Sequence, residues 1–390
     1  MIKVLNIAQF IPIKGLQLDN DISLKIYSDL YNAYGIQSEF IKPVESVPKW
    51  QSYLKNSSKI RREIFSRTDY FNSKYNIKIH FYKGTSPIID LIPFDTDFLL
   101  PLQFNCYNKF LINLIKTYGP HLIHAHSIHP DSYYAYELFK KTNIPYILTI
   151  RGSLSKVYYS KAGREILKYA STITTPSHAL WSKMDDKYAV ELLPHGIDDI
   201  WFNGKKKEFS SGILRLVTVS RLLKMKNIQI VLKAVARLIN EGYKITYDII
   251  GDGDYLASLI NLTNDLNLNG FVRFHGFQNA EYMVNVYQNT DIFVMLSYPE
   301  TFGRSYFEAA AQGLYIIGAK NTGAYGHLTE SEAVFIDIDE FQLIETLKRI
   351  DSNEFYSKTS RIAAKINEFR NSKIIDKYYK IISGIVKSPE

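Results

Sequence analysis

Cysteine is almost absent: Cys106 is the single thiol in 390 residues. No intrachain disulfide can form, which points to a reducing compartment and a fold that stands on its core. Long apolar runs are missing too, since a bilayer span needs about 18 consecutive apolar residues and no stretch reaches that. Residues 1–10 carry one early lysine and a brief apolar run, without the long hydrophobic region and small-residue cleavage site of a signal peptide. They are expected to form a first strand. No short-period repeat occurs, so a solenoid is excluded. The low hydrophobicity of disorder is also absent, because 46% of the residues are hydrophobic and only 22% charged. A formal charge of +8 permits anionic partners without requiring one.

What is present alternates. A β-rich run at 2–8 precedes a loop at 9–15 and a periodic segment at 18–34, where Ile22, Ile26, Leu30 and Ala33 share a helical face. Gly35 stands where a helix C-cap glycine belongs. A strand is expected at 37–41, helices at 105–118 and 131–141, and further strands at 121–125, 145–150, 172–175 and 189–193. Strands separated by helix-length segments imply a parallel sheet covered on both faces. Residues 201–212, polar and lysine-rich from 203 onward, read as a linker. A second series follows, with strands at 214–219, 246–250, 271–274, 292–296, 315–317 and 334–336. Helices start between them near 227, 255, 280 and 305, and three helical segments end the chain. The expected fold class is α/β, with two doubly wound Rossmann-like domains, 1–200 and 213–372, facing across a cleft. A last helix at 373–390 packs back on the first domain. In such sheets ligands bind beyond the carboxyl ends of strands.

The strongest pattern is at 297–313, Ser-Tyr-Pro-Glu-Thr-Phe-Gly-Arg-Ser-Tyr-Phe-Glu-Ala-Ala-Ala-Gln-Gly. A buried strand ends, Pro299 bars an immediate helix, Gly303 allows a tight turn, and a helix begins near Ser305. Unpaired N–H groups at a helix start carry about half a positive charge and suit a phosphate. Glu300 and Glu308 flank the turn, and carboxylates accept hydrogen bonds from vicinal hydroxyls, so a ribose or sugar ring is the natural guest. Arg221 and Lys226 leave the end of the strand at 214–219, where both reach a diphosphate at that mouth.

At these residues the chain resembles the retaining nucleotide-sugar glycosyltransferases of the GT-B fold, glycosyltransferase family 4. The matching positions are Glu300, Phe302, Gly303, Glu308, Ala309, Ala311 and Gly313, with Arg221 and Lys226 at the family's spacing. The family's glycine after the lysine is Asn227 here. Further similarities are the Gly-Asp-Gly turn at 251–253, the Phe-His-Gly-Phe loop ending at Phe277, and the Thr-Gly-Ala turn at 322–324. In the first half, His124 and His126 match a His-x-His strand end, Pro194 to Asp198 resembles an interdomain Pro-Asn-Gly-Val-Asp stretch, and Gly15 lies in the first loop. Arg151 replaces the common histidine of a His-Gly pair.

The resemblance implies transfer of a sugar from a nucleotide diphosphate-sugar, UDP preferred and GDP next, to a glycan or lipid-linked acceptor in cell-surface polysaccharide synthesis. It implies retention of configuration, no metal and no cofactor beyond the donor, in a cytoplasmic setting at the inner face of the membrane. Glu300, Arg221, Lys226 and His126 are the catalytic candidates. Glu308, Phe302, Gly303, Arg304, Gly251, Phe277 and Gly15 are the donor-binding ones.

Plainer readings stand beside these. Carboxylates near a helix start are favoured anyway, and Arg221 and Lys226 are also compatible with solvated charges. His121, His124, His126 and His129 invite a metal, yet no nearby carboxylate or cysteine completes a tetrahedral set. Asp95 and Asp97 imitate a metal-binding pair, but the same spacing recurs at 252–254 and 337–339. Residues 49–83 hold nine Lys or Arg against two carboxylates, with Trp50, Tyr53, Leu54, Ile64 and Phe65 at near-helical spacing. That is either a peripheral contact with an anionic membrane or a solvated insertion; no nucleic-acid motif accompanies it. The rival functions are a GT-B epimerase or sugar phosphorylase, and a non-catalytic nucleotide-binding partner subunit.

Overall fold

Two open sheets organise the chain in a computed structural model, which describes residues 1–8, 22–44, 69–83, 100–128, 130–152, 160–204, 208–209 and 212–387. The first unit comprises Met1–Thr175, Met184–Leu193 and Ile375–Glu390; the second comprises Pro176–Lys183 and Pro194–Ile374.

In the first unit the strands are β1 (Lys3–Ile7), β2 (Gln37–Val44), β3 (Asp69–Asn72), β4 (Ile77–Lys83), β5 (Leu122–Ala125), β6 (Tyr146–Thr149), β7 (Thr172–Thr175) and β8 (Val190–Leu192). They lie in the order β3-β4-β2-β1-β5-β6-β7-β8. The central strands are apolar because both their faces are buried: Val4, Leu5, Leu122 and Ile123 are wholly enclosed. Parallel neighbours need long crossovers, which α1 (Ile22–Tyr34), α2 (Leu100–Tyr118), α3 (Asp131–Thr142) and α4 (Lys161–Tyr169) supply.

Two features of this unit differ from expectation. Residues 69–83 of the basic stretch form an antiparallel hairpin, β3 against β4, and residues 49–68 lie outside the described residues. Asn72 makes the turn, its Oδ1 accepting from the N–H groups of Lys74 and Tyr75, and Asn76 takes the left-handed conformation at φ 55°. The helix α4 also went unread; its Ser160 cap accepts from Gly163 N at 2.9 Å.

The second unit is a six-stranded parallel sheet. Its strands are β9 (Leu214–Val219), β10 (Ile245–Ile250), β11 (Val272–Phe274), β12 (Ile292–Met295), β13 (Tyr315–Ala319) and β14 (Val334–Ile336), in the order β11-β10-β9-β12-β13-β14. A short α5 (His178–Trp181) precedes α6 (Ile228–Asn240), α7 (Leu256–Asp265), α8 (Ala280–Gln288), α9 (Arg304–Ala311), α10 (Glu340–Arg349) and α11 (Ser352–Ile366). Successive residues of β9 serve opposite layers: Leu216 packs with Val231 and Leu343, Val217 with Phe293 and Phe307.

The stretch expected as a linker belongs to this unit. Trp201 and Phe209, 3% and 7% exposed, anchor it in the core, and Phe209 stacks on Phe355 at 4.3 Å. Two buried aromatics outweigh the lysines between them. The last helix, α12 (Asn371–Lys387), contributes its residues from Ile375 onward to the first unit, where Tyr379 stacks on Tyr34 at 3.9 Å.

Each sheet reverses its strand order once, at β1/β5 in the first unit and at β9/β12 in the second. Crevices at such reversals, beyond the strands' carboxyl ends, are where open α/β sheets bind ligands. Among the described residues no helix is long and apolar enough to cross a membrane.

Candidate active site

The β9–α6 and β12–α9 loops leave the second sheet on either side of its reversal, and backbone joins them: Tyr298 N–H donates to Met225 O at 3.0 Å. This brings Lys226 onto Glu300, with Nζ 2.5 Å from Oε2 and side chains 14% and 17% exposed. The Glu300 carboxylate also accepts from Thr301 N–H at 3.1 Å. Its backbone is clamped by Thr322, whose Oγ1 accepts from Glu300 N–H at 2.7 Å and donates to Glu300 O at 2.9 Å. Behind the carboxylate, Gly303 turns at φ 71°, and a Cβ there would stand 2.6 Å from the Tyr306 ring. Only glycine satisfies both the dihedral and the space. Tyr306, wholly buried, hydrogen-bonds Met295 O and so ties the start of α9 to the end of β12.

Glu308 lies on α9 in a different setting. Its Oε1 is 3.5 Å from Arg304 Nε, and Arg304 Nη2 is 3.7 Å from Asp198 Oδ2. Burial raises the Glu308 carboxyl above its ordinary pKa; the Arg304 charge opposes this and Asp198 adds to it. Asp198, an unforeseen member, therefore holds one end of the guanidinium whose other end faces Glu308.

The remaining donor-side candidates divide by exposure. Arg221 is exposed at the end of β9. Phe277 is 81% exposed, at the tip of a loop braced from beneath by a chain that sequence reasoning missed. In that chain His275 Nε2 is 2.7 Å from Asp248 Oδ1 and its Nδ1 is 2.9 Å from the Tyr282 hydroxyl. Phe302, by contrast, offers only its backbone, because its side chain is 2% exposed and stacked on Phe307 at 4.2 Å. Gly251 is demanded by protein packing: at φ 134°, a Cβ would fall 1.8 Å from Ser220 O. Gly15 lies outside the described residues. Among the described residues no three His, Cys, Asp or Glu side chains group as metal ligands would.

In the first unit His126, a catalytic candidate, is enclosed. It is 6% exposed with both ring nitrogens engaged: Nε2 is 2.9 Å from Asn6 Oδ1, and Nδ1 is 3.2 Å from Ser23 Oγ and from Arg151 Nη2. A guanidinium only donates, so Nδ1 accepts and the ring proton sits on Nε2, given to Asn6. Burial, with the charge of Arg151 adding to it, holds the imidazole well below its ordinary pKa. His124 is enclosed likewise, between the Tyr27 hydroxyl at 2.7 Å and Thr149 Oγ1 at 2.6 Å. Arg151 also donates to Ser23 Oγ at 2.6 Å and hydrogen-bonds Tyr378 of α12.

Comparison with known proteins gives the family. Residues 199–366 match the sequence model of the glycosyl transferases group 1, and residues 58–200 that of Glycosyltransferase Family 4. The chain belongs to the group 1, family 4 glycosyltransferases. Among curated family members, the alpha-monoglucosyldiacylglycerol synthase of Streptococcus pneumoniae is 33% identical over 116 residues, 30% of this chain and 26% of that protein. The phosphatidylinositol N-acetylglucosaminyltransferase gpi3 subunit of Schizosaccharomyces pombe is 26% identical over 161 residues, 41% of this chain and 35% of that protein. The chain thus spans only about a quarter to a third of these two relatives. Solved structures match over the full length. Sucrose-phosphate synthase from Thermosynechococcus elongatus superposes with a TM-score of 0.72 at 16% identity over 100% of both chains. Anabaena HepE, in a complex with UDP and glucose, does so with 0.67 at 16% identity over 98% of this chain and 100% of that one. The fold is the GT-B fold. Against the family 4 pattern, Asn227 replaces glycine without strain: it adopts the left-handed conformation at φ 56°, and its Nδ2 donates to Leu296 O at 2.7 Å.

Proposed function

We propose that this chain is a retaining, metal-independent glycosyltransferase. It moves a sugar from a nucleotide diphosphate-sugar, UDP before GDP, to a glycan or lipid-linked acceptor in polysaccharide synthesis. The observation that carries this reading is the pairing of Lys226 with Glu300 on the loops at the β9/β12 reversal, with Glu308 on the helix that follows, within the family-matched segment. As the anomeric bond breaks, negative charge grows on the departing diphosphate. Arg221, Lys226 and the N–H groups at the start of α9 meet it, which is where electrostatic catalysis acts. Glu308 accepts from the ribose hydroxyls. Glu300 and the Phe302 and Gly303 amides orient the donor sugar, and the departing phosphate takes the acceptor proton, so no separate base is required. Thermal unfolding against millimolar UDP, GDP, ADP and CMP tests the reading, since ligand at about 100 times its Kd adds about 2.7 kcal/mol of stability. A shift selective for one nucleotide and lost in Glu308→Ala supports it. No shift with any of the four overturns it. Sugar release or isomerisation without an acceptor favours an epimerase, and nucleotide binding without turnover across acceptors a partner subunit.

A further inference from the structure

Arg304 stands where a cation is not favoured. It is the first residue of α9, and the N–H groups at a helix start already carry positive charge. Carboxylates lie on both sides of it. Glu308, four residues on, shares its side of the helix, with Oε1 3.5 Å from Arg304 Nε. At the other end of the guanidinium, Nη2 is 3.7 Å from Oδ2 of Asp198, the residue that precedes the short turn at Asp199–Phe202. Neither separation is a hydrogen bond, and the buried Nε makes none with the described residues. The guanidinium therefore stands between two carboxylates without closing on either.

That balance decides what Glu308 can accept. A carboxylate gripped by a guanidinium gives both its oxygens to the fork. One left buried without a cation takes up a proton, and one of its oxygens becomes a donor. Either state loses acceptors that two vicinal hydroxyls require. The Glu308 side chain is 12% exposed, and Arg304 supplies the charge that opposes its protonation. Asp198 pulls from the far side, and its own side chain, 36% exposed, reaches solvent.

We propose that Asp198 is a positioning residue for ribose recognition: by holding the far end of Arg304 it keeps the guanidinium from closing on Glu308, and so leaves both Glu308 oxygens to the vicinal hydroxyls of a nucleotide. The inference rests on the proposed function, in which Glu308 accepts from the ribose.

The test titrates the full chain by calorimetry with UDP, GDP and the 2′-deoxy form of each. Wild type should bind its ribonucleotide at least about tenfold more tightly than the deoxy form, the worth of a hydrogen bond to a charged group. Asp198→Asn should narrow that preference by about two- to fivefold, the range of a partly exposed ion pair. The narrowing should come from weaker ribonucleotide binding alone, with deoxynucleotide affinity and melting temperature unchanged, and Asp198→Glu should restore part of it. Asp198→Ser is a second charge-removing variant that keeps a favourable residue ahead of the turn. In an Arg304→Gln background, Asp198→Asn should change the preference no further, because the effect runs through the guanidinium. A merely structural role would weaken both forms of the nucleotide alike. An unchanged preference in Asp198→Asn and Asp198→Ser, equal loss for both forms, or the same narrowing without Arg304 overturns the inference and leaves the proposed function standing. Wild type that binds ribo- and deoxynucleotide equally overturns the role of Glu308 and, with it, that of Asp198. Wild type that binds neither nucleotide overturns the proposed function as well.

Discussion

Replacing Lys226 and Glu300 singly and together tests whether these groups hold each other in the unliganded protein. They are 2.5 Å apart, and their side chains are only 14% and 17% exposed. At an effective dielectric near 20, unit charges at that separation attract by about 7 kcal/mol before desolvation is counted. Taking both groups largely out of water cancels most of this, leaving a net gain of about 1–2 kcal/mol, the range of hydrogen bonds between charged groups. Glu300→Gln and Lys226→Met should each destabilise the protein by about 1–3 kcal/mol, because each leaves a partly buried charge opposite a neutral group. The double variant should lose less than the two singles combined, with a coupling of about 1–2 kcal/mol. Urea unfolding of the four proteins closes the cycle. Thermal unfolding supplies a check, since about 2–4 °C corresponds to each kcal/mol in domains of this size. On the proposed function, saturating UDP should shrink the coupling by drawing the ammonium to its diphosphate. Additivity within about 0.5 kcal/mol in the unliganded protein would mean that the pair does not hold in solution, and the ion-pair reading would be refuted.

Three further outcomes are expected. Burial holds the Glu308 carboxyl above its ordinary value, so the folded state binds its proton more tightly than the unfolded state, and the cost of ionising it is absent below the unfolded pKa and complete above the folded one. Glu308→Gln should therefore raise the melting temperature at neutral pH, by a margin that vanishes as pH falls below about 4, while donor binding is lost; an unchanged or lowered melting temperature at neutral pH contradicts this. Asn227→Ala should cost about 1–2 kcal/mol from the left-handed backbone and about 1 kcal/mol from the bond to Leu296 O, with Asn227→Gly costing only the second part, both read by urea unfolding. Gly251→Ala drives a Cβ to 1.8 Å from Ser220 O, so calorimetry should show nucleotide binding lost, and unfolding a stability deficit above about 3 kcal/mol.

Strands were legible where both faces are buried. The ranges 214–219 and 334–336 were read to the residue, as β9 and β14, because an apolar run bounded by polar turns has one reading when helix-length segments flank it. The β3–β4 hairpin was not. Tyr70, Phe71, Ile77 and Ile79 sit among lysines, and the aromatics upstream at near-helical spacing suggested an amphipathic segment instead. The available signal was turn chemistry, Asn72 and Asn76 closing a short loop. At 201–212 composition is polar, yet the described aromatics Trp201 and Phe209 pack in the core of the second unit.

The grouping of candidates on loops beside the second sheet's reversal was legible because a motif there combines residue type with a backbone demand, as Gly303 does between Glu300 and Tyr306. The His-x-His strand end of the first unit carries no such demand, and it reads the same whether its rings face a crevice or a helix. In the structure Ser23 and Tyr27, one helical turn apart on α1, hydrogen-bond the two histidines. Arg151 then fixes the His126 proton, since a ring nitrogen that accepts from a guanidinium cannot also take a proton from a sugar hydroxyl. Both imidazoles are thus neutral and enclosed.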